Sequence, residues 1–158
     1  MRNITYIIVH ESDSVWGDSA AINEWHIARG WSMIGYHKVI LNGKRHSKSK
    51  YREVEDGIIE GGRLLQAVGA HARGYNRQSI GICLIGKHGK FTDKQMTVLT
   101  EELTRLMAVY NIPVKNVLGH YEIPLSGGKV CPEIEMNGYR EKLQEHLDEL
   151  DAMSKFGA

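Results

Sequence analysis

Two short apolar runs constrain this chain more than any other feature: "ITYIIVH" at residues 4–10 and "SIGICLIG" at residues 79–86. Both are too short for a core helix and rich in β-branched residues, so each reads as a buried strand. Period-two alternation along the first puts Tyr6, Ile8 and His10 on one face. "GYHKVIL" reads as a further strand with Tyr36, Lys38 and Ile40 on one face, and "DGIIEGGR" as another. Helical patterns are interspersed with these strands. "AAINEWHIARG" is capped by Asp18 or Ser19 and closed by Gly30. In "FTDKQMTVLTEELTRLMAVYNIP", Thr92 and Gln95 form a capping box, and Phe91 and Met96 a hydrophobic staple. Met96, Leu99, Leu103, Leu106, Met107 and Tyr110 make its core-facing stripe. A last helix starts near Asn137 and turns Tyr139, Leu143, Leu147 and Leu150 inward, and the tail "SKFGA" is expected to fray. Strands mixed with helices predict a small α/β domain, and 158 residues suit one core.

Composition narrows the function classes. A formal net charge of +1 gives no global basic field for nucleic acid. The first apolar run is too short for a signal-peptide core or a membrane span, so synthesis in the cytoplasm without an anchor is expected. The connection "NGKRHSKSKYREVED" is locally basic; it reads as a solvated, mobile hairpin tip, with contact to an anionic polymer as the alternative. Only two cysteines occur, Cys83 and Cys131. Cys83 lies within a predicted strand and reads as a core residue. A disulfide between the two is compatible with the sequence, but a disulfide-built scaffold is not.

The stretch "LGHYEIPLSGGKVCP", residues 118–132, reads as neither helix nor strand, yet holds His120 near one end and Cys131 near the other. With His10 at a strand end, these residues offer two imidazoles and one thiolate. Zinc favours such donors, and a catalytic zinc site takes three protein ligands and leaves one position open. The spacing is not local, and a single histidine is more often structural or superficial. Cys131 alone reads equally as a buried thiol or as a nucleophile served by a histidine base.

Several rarer strings recur together: "YIIVHES", "INEWHIARGWSMIGYHKVI", "DGIIEGGR", "VGAHARGYNRQSIGICLIG", "FTDKQMTVL" and "GHYEIP…KVCP". In this order, from Tyr6 to Pro132, they resemble the type 2 N-acetylmuramoyl-L-alanine amidases. That family includes small phage endolysins of the T-odd coliphage lysozyme type and has peptidoglycan-recognition proteins as relatives. The resemblance implies a mixed central β-sheet flanked by helices. It also implies a zinc hydrolase that cuts the amide between N-acetylmuramic acid and the first L-alanine of peptidoglycan. Carried over position by position, the metal ligands fall on His10, His120 and Cys131, and the catalytic residues on Tyr36 and Lys129. "AHARGYN" supplies His71 and Asn76 as candidates for the substrate groove. His37 and His26 read as structural residues.

A single zinc amidase domain over residues 1–158, without a separate cell-wall-binding domain, is the resulting expectation. An endolysin lacking a signal peptide implies release to the wall by a pore-forming holin. A non-catalytic peptidoglycan-binding module is a weaker alternative, since such relatives tend to lose the cysteine ligand and Cys131 is present. The coliphage lysozymes also bind their phage RNA polymerase, partly through an N-terminal arm. Here only a few residues precede the first strand, so the polymerase is a partner without a supporting feature.

Overall fold

The computed structural model describes residues 1–157. Five strands form one sheet: β1 (Tyr6–Glu11), β2 (Lys38–Asn42), β3 (Asp56–Gly61), β4 (Ser79–Leu84) and β5 (Val117–Gly119). Their spatial order is β3-β2-β4-β1-β5, with β3 antiparallel to β2 and the other pairs parallel. The helices are α1 (Ser19–Ala28), α2 (Asp93–Tyr110) and α3 (Met136–Phe156). The mixed sheet flanked by helices agrees with the expected fold. β5 is the strand the sequence does not reveal. It has three residues and lies inside the stretch that reads as loop.

Alternation within the strands divides the core. Ile7, Val9, Ile40, Ile80, Ile82 and Leu84 meet Leu99, Leu103, Leu106 and Met107 of α2 and Met136 and Leu143 of α3. Val39, Leu41 and Cys83 meet Ile22 of α1 together with Ile34 and Ile85. β1 and β4 thus carry apolar side chains on both faces, as sheet strands covered on both sides do.

Local chemistry fixes the helix ends. Asp18 caps α1 by accepting the N–H of Ala21 at 2.8 Å. Its other end is a Schellman turn: Gly30 N–H donates to Ile27 O at 2.9 Å and Trp31 N–H to His26 O at 3.1 Å. Gly30 adopts φ +90°, which suits glycine. The Thr92–Gln95 capping box of α2 forms as expected. Gln95 does more: wholly buried, its amide donates to Ile40 O at 3.1 Å and Ile85 O at 2.9 Å, tying α2 to the sheet.

Four expectations need correction. Tyr36 precedes β2, so strand alternation does not govern it; it packs with Val39, Leu41 and Cys83, on the side opposite Ile40. Leu150 is 41% exposed, because α3 runs on past the sheet and its last turns have nothing to cover them. The tail does not fray at Ser154, since the helix continues to Phe156, while Ala158 lies outside the described residues. The basic connection is solvated as expected at residues 46–48 and 50–54, and the correction lies in its anchoring: Arg45 donates to Asp18 at 3.1 Å, Glu55 at 3.0 Å and Glu60 at 2.9 Å. Both cysteines are free thiols. Among the described residues, no helix is long and apolar enough to cross a membrane.

His37 is buried under the sheet and accepts the Gly81 N–H at Nδ1, 3.0 Å. Its Nε2 therefore carries the proton and gives it to Ala67 O at 2.8 Å. Burial, helped by Arg2, holds its pKa at about 4, against 6.5 for a free imidazole. The unfolded chain then binds more protons between those pH values. Stability from neutral His37 is full above pH 6.5 and is lost as pH falls towards 4. The denaturation midpoint should drop across that interval, and less steeply in His37→Gln; equal slopes for the two proteins would contradict this.

Candidate metal centre

β1 and β5 run parallel, with Val9 opposite Gly119. The next residue on each chain is a histidine, so His10 and His120 leave the same end of the sheet side by side. Their ring centroids are 4.5 Å apart. His120 opens a 3-10 turn, which redirects the chain away from the strand at once. Cys131 comes from the far end of the following loop, where its carbonyl accepts the Tyr121 N–H at 2.8 Å. Its sulfur accepts the Glu11 N–H at 3.3 Å. One donor atom from each of His10, His120 and Cys131 lies within 4.8 Å of the other two. His10 is thereby brought to one point with residues 110 and 121 positions further along the sequence.

The electrostatics suit a cation held by neutral imidazoles. Burial, followed by the neighbouring His71 and His120, holds His10 well below the ordinary imidazole range. Burial and then Lys129 lower His120. Both rings are uncharged at neutral pH and keep a lone pair free for coordination. Burial pushes the Cys131 thiol up to about 11, which the main-chain hydrogen bond from Glu11 only partly offsets. The donor set, two imidazoles and one thiol, matches the chemistry of zinc.

These side chains face a cavity of about 450 Å³ that Tyr36, Lys129, His26, Arg29 and Trp31 also line. The Tyr36 ring lies tilted against His10, with ring centroids 4.9 Å apart. Its phenol is held well above 10, first by burial and then by the nearby Cys83 and Cys131 thiols. Its hydroxyl therefore keeps its proton at neutral pH in the metal-free protein. His26 accepts the Gly35 N–H at 2.9 Å and packs on Trp31, which the Schellman turn delivers there at 4.4 Å. Glu11 and Trp31 also belong to the cavity; both lie within the motifs quoted from the sequence, in "YIIVHES" and "INEWHIARGWSMIGYHKVI", but neither is singled out there as a site residue. A larger open hollow of about 640 Å³, beside Asp18, Arg45 and Glu60, holds no comparable donor cluster.

His71 and Asn76 take positions that their motif does not reveal. His71 is buried beneath His10, with its Nδ1 2.9 Å from His10 Nε2 and its Nε2 3.2 Å from Ser79 Oγ. Asn76 Oδ1 accepts the N–H groups of His71 and Ala72, both at 2.9 Å, and so shapes the loop that carries His71. Both residues also line a second hollow of about 340 Å³, which shares Trp31, Ala70, His71 and His120 with the first.

The sequence matches the family model described as N-acetylmuramoyl-L-alanine amidase over residues 1–134. The chain belongs to this amidase family. The endolysin of Escherichia phage T7 is 38% identical over 128 residues, which cover 77% of this chain and 73% of that endolysin. Among solved structures, the amidase LysC from Clostridium intestinale URNW aligns with a TM-score of 0.71 at 29% identity, covering 93% of this chain and 87% of LysC. Wild-type Drosophila PGRP-LB aligns at 0.65 with 25% identity, covering 84% of this chain and 76% of that one. In this amidase chain the whole sheet, α1, α2 and the donor cluster fall within the matched residues, and α3 follows them.

Room for His71 comes from glycine. A Cβ on Gly81 would stand 2.6–2.7 Å from the His71 ring, too close for a real contact. Gly81→Ala should therefore cost about 1–3 kcal/mol in a denaturant titration and shift the His71 ring resonances. Wild-type stability with unmoved resonances would show that the ring does not depend on this gap.

Proposed function

We propose that this protein is a zinc-dependent N-acetylmuramoyl-L-alanine amidase. It cleaves the amide between N-acetylmuramic acid and L-alanine in peptidoglycan and serves as a phage endolysin in host lysis. The observation that carries this reading is the His10–His120–Cys131 cluster, at the wall of a cavity, in a chain of the amidase family. Residues 1–158 act as one catalytic domain. The enzyme is made in the host cytoplasm and reaches the wall after a holin opens the membrane.

His10, His120 and the Cys131 thiolate would hold the ion. His10 Nε2 is engaged with His71, which leaves Nδ1 for coordination. In that state His10 Nε2–H donates to His71 Nδ1, and His71 Nε2–H donates to Ser79, so one run of hydrogen bonds fixes the ring. The chemistry a zinc ion supplies when bound is Lewis acidity, which polarises the scissile carbonyl and brings the pKa of a water to ~7.

The chain's own residues do the rest. Lys129 brings a positive charge to the negative oxygen that develops on the carbonyl. Tyr36, whose buried phenol keeps its proton, donates a hydrogen bond to that oxygen or to the attacking water. Asn76 and His71 form the polar wall of the adjoining hollow, which receives part of the substrate. Trp31 supplies an apolar surface between the two hollows.

Purified protein should contain about one zinc per chain, and chelation should abolish release of stem peptides from sacculi. Lys129→Ala should lower kcat by ~100-fold or more while leaving the metal in place. Full activity in metal-free protein would overturn the proposal. Inactivation by alkylating Cys131 with the metal still bound would favour a cysteine hydrolase.

Metal uptake has a sign that follows from the site. His10 and His120 are already neutral at pH 7, whereas Cys131 still carries its proton. Binding should then release about one proton per ion, and affinity should rise about tenfold per pH unit between pH 7 and the thiol's titration. Calorimetry in buffers of different ionisation enthalpy reads that proton directly; release of none would remove Cys131 from the ligand set.

A further inference from the structure

Glu11 follows His10 at the end of β1, is buried, and lines the cavity. A carboxylate there invites the role of general base, but its bonds describe something else. Oε1 accepts the N–H of Glu133 at 2.6 Å, and Oε2 accepts the N–H of His88 at 3.1 Å. Both oxygens are engaged by main-chain donors from two different loops, one after β4 and one just past Cys131. The main chain of Glu11 holds the same region: its N–H meets Cys131 Sγ at 3.3 Å, and its carbonyl accepts from that thiol at 3.7 Å.

The two loops touch at this point. A Cβ on Gly89 would lie 2.6 Å from the carbonyl oxygen of Glu133. The three donors of the metal centre are also held unequally. His10 sits in a strand paired on both edges, and His120 directly follows one. Cys131 sits in a loop whose approach, through Gly127 and Gly128 at positive φ, is exposed and unpaired with the sheet. Ordering such a segment costs conformational entropy that some fixed contact must offset.

We propose that Glu11 is a positioning residue: its carboxylate clamps the Lys129–Glu133 segment against the turn after β4, so that Lys129 and Cys131 meet the centre that His10 and His120 define. The functional half of this inference rests on the zinc amidase reading; the clamp itself does not. Glu11 touches no reacting atom and acts through the two residues it places.

Glu11→Gln keeps the volume, but its single carbonyl oxygen replaces two acceptors and its amide now faces a main-chain donor. In metal-free protein, the amides of Glu133 and His88, which the carboxylate accepts, should exchange with solvent about tenfold faster, while those of residues 6–9 and of β4 stay unchanged. Zinc affinity, read by chelator competition, should weaken ~10–100-fold. With zinc saturating, the fall in kcat should shrink in a Lys129→Ala background, where only Cys131 remains to be placed. Gly89→Ala pushes the same loops apart with Glu11 intact and should produce the same faster exchange; it carries the test if Glu11→Gln does not fold. Wild-type exchange and zinc affinity in both variants, or an equal fall in kcat in both lysine backgrounds, would overturn the proposal. Protein that takes up no zinc would sink the amidase reading alone, and the exchange rates would still decide the clamp.

Discussion

The reactive end of this molecule depends on β1 being paired on both edges by parallel strands. Parallel pairing brings carboxyl ends to the same rim of the sheet, and ligand sites of open α/β sheets gather there. Here the consequence is specific. With Val9 opposite Gly119, the following residues His10 and His120 must emerge together. A slip of one residue would turn His10 towards the α2 face and separate the pair. The apolar sides of β1, locked into the cluster under α2 and, through Ile8, against Ala72 and Ile123, resist such a slip. Packing far from the cavity therefore sets the spacing of the donors inside it.

A second layer of control is the burial of imidazoles in neutral form. His10, His71 and His37 form a row, with ring centroids 5.0 Å and 5.7 Å apart along it. Each is pushed below the usual imidazole range by burial before any neighbour acts. The row fits because Gly81 and Gly69 leave space where any Cβ would strike an imidazole. Neutral rings cost less to bury than charged ones, and a neutral ring is what a metal requires. Stability and coordination chemistry therefore impose the same protonation state on these residues.

Much of this was legible in the sequence. The caps of α1 and α2, the apolar stripe of α2 and the alternation of β1 act over a few residues, so local chemistry decides them. The resemblance of the quoted motifs to amidases also anticipated the trio His10, His120 and Cys131. Elements decided by distant partners were not legible. β5 has too few residues to show a period, and it is a strand because β1 offers it an edge. Tyr36 lies just outside β2, where alternation stops applying. Arg45 in a basic loop reads as solvated until Asp18 before α1 and Glu60 of β3 join Glu55 of its own loop around it.

The sequence by itself determined the helices, the buried strands and the donor types, because periodicity, capping and the chemistry of each side chain need no distant partner. Only the tertiary structure decided that His71 lies under His10 and that Glu11 faces two loops at once. The reason is that a hydrogen bond between segments 60 or more residues apart depends on strand order and register, which no local pattern encodes.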